Sequence, residues 1–124
     1  MISSLEGRVL IKAEKYAIIE AGGIGFKVFC AEKTLSKIPQ IGESVKLFTF
    51  LSVKENGWDL FGFWRLEELE IFELLITIPG IGPKTAAGIL SGASVEDLQE
   101  AIVLGDETIL ARVSGIGKKV AEKI

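Results

Sequence analysis

A chain of α+β class in two parts, a small β-barrel followed by an all-α region, is what the 124 residues predict. Three observations carry that expectation. Up to residue 64, short apolar runs rich in branched and aromatic residues alternate with polar ones and are separated by Gly, Pro and Asn. This is the signature of strands and tight turns. From residue 65 on, apolar residues recur at three and four positions, the period of a helix packed on one face. Within that second part a Gly-Ile-Gly phrase occurs twice, at Gly80-Ile81-Gly82 and Gly115-Ile116-Gly117.

In the first part, Arg8–Lys12 and Tyr16–Glu20 read as short strands, Gly22-Gly23-Ile24-Gly25 as a turn, and Phe26–Cys30 as a third strand. A short helical turn is expected near Thr34-Leu35, then a loop over Ser36–Glu43 punctuated by Pro39 and Gly42. Ser44–Val53 is the longest strand. Lys54-Glu55-Asn56-Gly57 is a hairpin turn, for which Asn-Gly is a strong local cue, and Trp58–Phe63 returns. Five or six short strands with one helical turn suit a small closed barrel of the oligonucleotide-binding type. Phe48, Phe50, Phe61, Phe63 and Trp64 fall mostly at alternate positions, as core residues do, and Trp58 is the aromatic expected at the surface.

In the second part, Leu66, Leu69, Ile71, Phe72, Leu75 and Ile76 mark a helix. A second runs from Lys84 to about Leu90. A third opens at Ser94, which has the character of an N-cap with acids behind it, and extends to about Leu104. Gly105 stops it and Asp106 caps another, which leads to the second Gly-Ile-Gly phrase and a last helix from Lys118. The two phrases align beyond their glycines: Lys84 with Lys119, Ala86 with Ala121, Ile89 with Ile124. Helix, glycine turn, helix, repeated in register, is a tandem helix-hairpin-helix.

Such a hairpin suits a polyanion for a physical reason. Glycine allows φ > 0 or very close backbone approach. The first N–H groups of the helix behind it have no intrahelical partner and sit at the positive end of the helix dipole. A phosphate oxygen fits that place. Pro83 suits a first helical turn, and the two isoleucines are expected to plug between flanking helices. The phosphate-contacting set is therefore Gly80, Ile81, Gly82, Lys84 and Thr85 in the first hairpin, and Gly115, Ile116, Gly117, Lys118 and Lys119 in the second.

Composition narrows the chemistry. The chain has no His and one Cys, which excludes the usual zinc sites and Ser-His-Asp or Cys-His triads, so no metal and no cofactor is expected. Cys30 cannot form an internal disulfide and reads as a core thiol in a cytoplasmic protein. No apolar run is long enough to span a bilayer, and no membrane partner is expected. The net charge of −3 hides an uneven distribution. Residues 1–64 carry 8 basic and 7 acidic residues, residues 65–124 carry 6 and 10, yet Lys84, Arg112, Lys118, Lys119 and Lys123 gather near the hairpins. The acids lie in Glu67-Glu68-Leu69-Glu70, Glu96-Asp97, Glu100 and Asp106-Glu107, which predicts one DNA-facing surface and one acidic surface.

With these motifs in hand the whole chain resembles the RuvA family of Holliday-junction-binding subunits. The resemblance is carried by Glu20-Ala21-Gly22-Gly23-Ile24-Gly25-Phe26, Leu60-Phe61-Gly62-Phe63, Gly80-Ile81-Gly82-Pro83-Lys84, Ile89-Leu90-Ser91-Gly92 and Gly115-Ile116-Gly117-Lys118-Lys119. It implies an oligonucleotide-binding-type barrel over 1–64, serving tetramer assembly, and a tandem helix-hairpin-helix DNA-binding domain over 65–124. It also implies a non-catalytic protein that binds four-way junction DNA as a homotetramer, or as two tetramers sandwiching the junction. That protein holds the junction open for a partner RuvB ATPase in recombination and repair, and the RuvC resolvase is a further expected partner. The family's C-terminal motor-binding domain is not represented in the sequence, and the last helix, cut off at Ile124 one or two turns after Lys118, reads as that of a fragment. The family also places an acidic pin where Glu55 and Asn56 stand; Glu55 matches its first carboxylate, whereas Asn56 replaces the second.

Two other readings compete. In an enzyme that borrows such hairpins, Gly-Pro-Lys-Thr at 82–85 would end a phosphate-binding loop, but that loop needs Gly directly before Lys. A general backbone-binding or protein-interaction module would use the hairpins without junction specificity.

Overall fold

A computed structural model describes the backbone of residues 1–104 and the side chains of residues 1–100. It divides into two compact units, Met1–Leu69 and Glu70 onward.

The first unit is a closed five-stranded barrel. Its strands are β1 (Ser4–Lys12), β2 (Tyr16–Ala21), β3 (Ile24–Cys30), β4 (Ser44–Lys54) and β5 (Gly57–Phe63), ordered β1-β2-β3-β5-β4 with β4 closing onto β1. All pairs are antiparallel except β3 with β5. One short helix, α1 (Glu32–Leu35), links β3 to β4, with Thr34 and Leu35 buried. β1 is shared between two partners: Ser4–Arg8 pair with β4 and Arg8–Lys12 with β2, with an irregularity in register between Val9 and Ile11. A bulge bends a strand and raises its twist, which lets one strand serve both sides of a barrel corner. Alternate residues fill the interior, among them Leu5, Val9, Ile19, Val28, Leu47 and Leu60.

The strand boundaries differ from expectation by more than one residue at two places. β1 starts at Ser4 rather than Arg8, because Ser4–Gly7 gain their ladder from β4 and not from local propensity. The β2–β3 turn is only Gly22-Gly23, both at positive φ, and Ile24 and Gly25 already belong to β3. The β4–β5 hairpin is as tight as expected. Lys54 pairs with Gly57, so Glu55 and Asn56 are the two turn residues and the positive φ of 146° falls on Gly57, the first residue of β5.

α2 (Leu66–Ile76) begins in the first unit, and its N-terminus is held by a device the sequence does not advertise. Glu68 is only 4% exposed. Its carboxylate accepts the Arg65 backbone N–H at 3.0 Å and lies 3.8 Å from Lys33 Nζ on α1. This is the reciprocal half of a capping box, the side chain three residues into the helix satisfying the N-cap amide. Glu68 therefore leaves the acidic surface expected of it. Glu67 is half-buried and pairs with Arg65 Nε at 3.1 Å.

In the second unit the described elements are the rest of α2, α3 (Pro83–Gly92) and α4 (Val95–Leu104). Ile71, Phe72 and Leu75, then Ala86, Ile89 and Leu90, then Val95 and Leu98 are buried, the three-and-four spacing of helices with one inward face. Ser94 caps α4 as expected, its Oγ accepting the Asp97 N–H at 3.0 Å. α3 runs one residue earlier and two later than Lys84–Leu90, since Pro83 takes the first helical position.

Candidate nucleic-acid interface

The link from α2 to α3 builds the first hairpin tip. α2 ends with Thr77 and Ile78 donating backbone N–H groups to Leu74 and Leu75, and with Thr77 Oγ1 donating to the Leu74 carbonyl at 2.6 Å. Ile78-Pro79-Gly80-Ile81 then forms a β-turn closed by the Ile81 N–H on the Ile78 carbonyl at 3.1 Å. Pro79 stands at the second position and Gly80, with φ of 91°, at the third, the pattern of a type II turn. Gly80 is required by this geometry, because an L side chain is strained there.

Ile81 is 4% exposed, the plug that its position between the helices predicts. Its side chain is thus spent on packing, and only its backbone can meet a ligand. Gly82 is the N-cap of α3 with φ −93° and ψ 177°, extended backbone open to any residue. A Cβ there would meet nothing within 4 Å. Among the described residues nothing crowds a side chain at position 82, where glycine also serves as the N-cap of α3.

Gly82 provides no side-chain cap, and the first intrahelical bond is the Ala86 N–H on the Gly82 carbonyl at 2.9 Å. The N–H groups of Lys84 and Thr85 precede that bond. α1, α2 and α4 each carry acids in the first turn, where a carboxylate offsets the helix dipole; α3 carries none and places exposed Lys84 there. Two amides ahead of the first intrahelical bond, an exposed lysine and an open glycine gather positive potential at this helix start.

Glu55 and Asn56 are exposed at the tip of the β4–β5 hairpin. Of the aromatic residues, Phe61 and Phe63 are buried, Phe48, Phe50 and Trp64 are half-buried, and Trp58 is the exposed one, as expected. Cys30 is half-buried in the barrel wall. Burial pushes its thiol up to about 12, partly offset by a hydrogen bond from the Gly62 backbone, so it is no nucleophile. Gly115, Ile116, Gly117, Lys118 and Lys119 lie outside the described residues, as do Gly105, Asp106 and the helix expected from Lys118. Among the described residues no group of His, Cys, Asp or Glu is arranged to hold a metal ion, and no helix is long and apolar enough to cross a membrane.

A closed five-stranded barrel followed by a helix-hairpin-helix region defines a class of nucleic-acid-binding architecture. Family comparison makes the assignment specific. Residues 1–62 match the RuvA N-terminal domain, and residues 72–124 match the SAM-like helix-hairpin-helix tandem, so the match extends through the second hairpin. The chain belongs to the RuvA family. Its relatives include proteins named Holliday junction branch migration complex subunit RuvA from Acetivibrio thermocellus, 40% identical, and from Caldanaerobacter subterraneus subsp. tengcongensis, 43% identical. A third, from Roseiflexus sp., is 38% identical. Each alignment covers the whole of this chain and 61%, 66% and 63% of the respective relative. The chain therefore spans a little over three-fifths of the length of these relatives.

Proposed function

We propose that this chain binds four-way DNA junctions as a tetramer, through backbone phosphates, and holds them open for branch migration. The observation that carries the reading is the contrast within Gly80-Ile81-Gly82. Gly80 serves the turn, Ile81 serves the core, and Gly82 serves neither. An unobstructed glycine before an uncapped, acid-free helix start suits a phosphate oxygen. The phosphate set is Gly80, Ile81 and Gly82 by backbone, with Lys84 and Thr85 behind them, repeated at Gly115, Ile116, Gly117, Lys118 and Lys119. Phosphate contacts fix position and carry no base sequence. Preference for a junction must then come from symmetry, with each protomer serving one arm.

In this reading residues 1–64 supply tetramer assembly and residues 65–124 the DNA surface. Glu55 forms a pin toward the junction centre, with Asn56 removing one of the usual two carboxylates and weakening its repulsion of phosphates. The chain performs no chemistry of its own and works in the bacterial cytoplasm with a RuvB-type motor ATPase and a RuvC-type resolvase. The names of its relatives, which describe a subunit of a complex, support that division of labour.

A competition gel shift tests the proposal. Labelled junction is challenged by unlabelled junction and by linear duplex of equal length at low and moderate salt. Strong preference for junction is expected. Equal competition by duplex would reduce the protein to a general backbone binder.

A further inference from the structure

The β4–β5 hairpin carries an apolar face that outruns the core it belongs to. Thr49 pairs with Gly62, Leu51 with Leu60, and Val53 with Trp58. These residues share one side of the hairpin, because side chains alternate along a strand. Leu60 lies in the barrel core and Leu51 packs against it. The next pair along the same face, Val53 and Trp58, is 59% and 68% exposed. β3 repeats the pattern. Val28 is in the core and Phe26 packs against it, while Ile24, next in that row, is 60% exposed. β3 runs parallel to β5 with Val28 beside Leu60, so both rows emerge at the same end of the barrel. Among the described residues no ring stacks on the Trp58 indole.

We propose that Trp58, with Val53 paired across from it and Ile24 exposed at the same end of the barrel, is a stacking platform for the innermost base pairs of the junction. This rests on the junction-binding reading above. Opening a four-way junction into a square separates arms that would otherwise stack end to end, and it leaves the π-faces of the innermost base pairs bare. An indole at the start of the returning strand offers a replacement surface of the right size and chemistry. Stacking tolerates any base, as a junction that migrates along sequence requires. The electrostatics of the tip permit close approach to DNA, because within residues 53–58 the only charges are Lys54 and Glu55, which cancel. A second copy of the chain is the weaker occupant. Three side chains offer on the order of a few hundred Å² of apolar surface, below the roughly 800 Å² that each partner of a standard protein interface buries.

The test compares the chain with Trp58→Ala, Trp58→Phe and Gly82→Val. Affinity is measured for junction and for linear duplex, with 2-aminopurine placed either at an innermost base pair or far out on an arm. The platform predicts that Trp58→Ala weakens junction binding by about 5- to 100-fold and leaves duplex binding unchanged. It also predicts that Trp58→Phe restores most of the loss, and that quenching of the innermost probe disappears only in Trp58→Ala. If Trp58→Ala binds junction like the parent while Gly82→Val does not, the platform is wrong and the junction reading stands. If the parent itself does not bind junction, both fall. If Trp58→Ala shifts the oligomeric state in sedimentation without DNA, the rim faces a second copy and the platform is overturned.

Discussion

The two hairpin tips of this chain solve opposite problems. At the α2–α3 tip the apolar residue, Ile81, is buried, and the backbone of Gly82, Lys84 and Thr85 is left open. At the β4–β5 tip the backbone closes on itself from Lys54 to Gly57, and apolar side chains are left open instead. On the proposed reading, the first tip suits a ligand that takes hydrogen-bond donors and positive potential, the second one that takes a flat apolar face. DNA offers both, phosphates along its arms and base faces where a helix is interrupted. A protein that needed only general affinity for duplex would have use for the first tip alone.

Substitutions can break that comparison on either side. The largest effect is expected from Ile81→Ala. Removing a buried branched side chain costs about 2–5 kcal/mol, and chemical denaturation followed by circular dichroism should show it as loss of helical structure at lower denaturant. Gly82→Val is next and should separate binding from folding. Its extended φ accommodates a β-branched residue and its Cβ meets open space, so stability should fall by no more than about 1 kcal/mol, the cost of a poorer N-cap, while junction affinity falls by tenfold or more. Gly80→Ala should instead show its loss in stability, costing roughly 1–2 kcal/mol through its φ of 91°. Equal stability losses at Gly80 and Gly82 would erase the distinction between them.

The smallest effect concerns Cys30. Its thiol is pushed from 9.0 up to about 12 by burial, so the folded chain holds a proton that the unfolded chain releases above about pH 9. Stability from this group is complete below that pH and is lost as pH rises toward 12. Maleimide labelling at pH 8 should be slow in the native chain and fast in denaturant. Rapid native labelling would show that the barrel wall opens at β3.

Much of this architecture was legible because it is locally encoded. Alternation along β2 to β5, the caps at Ser94 and Pro83, and the paired Gly-Ile-Gly phrases each declare themselves within a few residues. What was not legible depends on partners distant in sequence. The first half of β1 is a strand because β4 lies beside it, and Ser3-Ser4 has no strand character of its own. Glu68 looked like one acid among several, yet it is buried by the Arg65 amide and Lys33. Its position three residues after the N-cap was a usable signal, masked by the absence of Ser or Thr at position 65. The glycines of the first hairpin look interchangeable in sequence. Their backbone angles show that Gly80 answers to the turn, whereas Gly82 stands in extended backbone with open space at its Cβ.

The most direct test of the central claim is the salt dependence of junction binding, in the parent chain and in Gly82→Val. If four protomers each apply two hairpins to phosphates, about eight contacts give a slope of log affinity against log salt near −7. Losing the first hairpin in every protomer should bring the slope to about −3.6. An unchanged slope in Gly82→Val would mean that phosphates are held elsewhere and that this hairpin is not the contact.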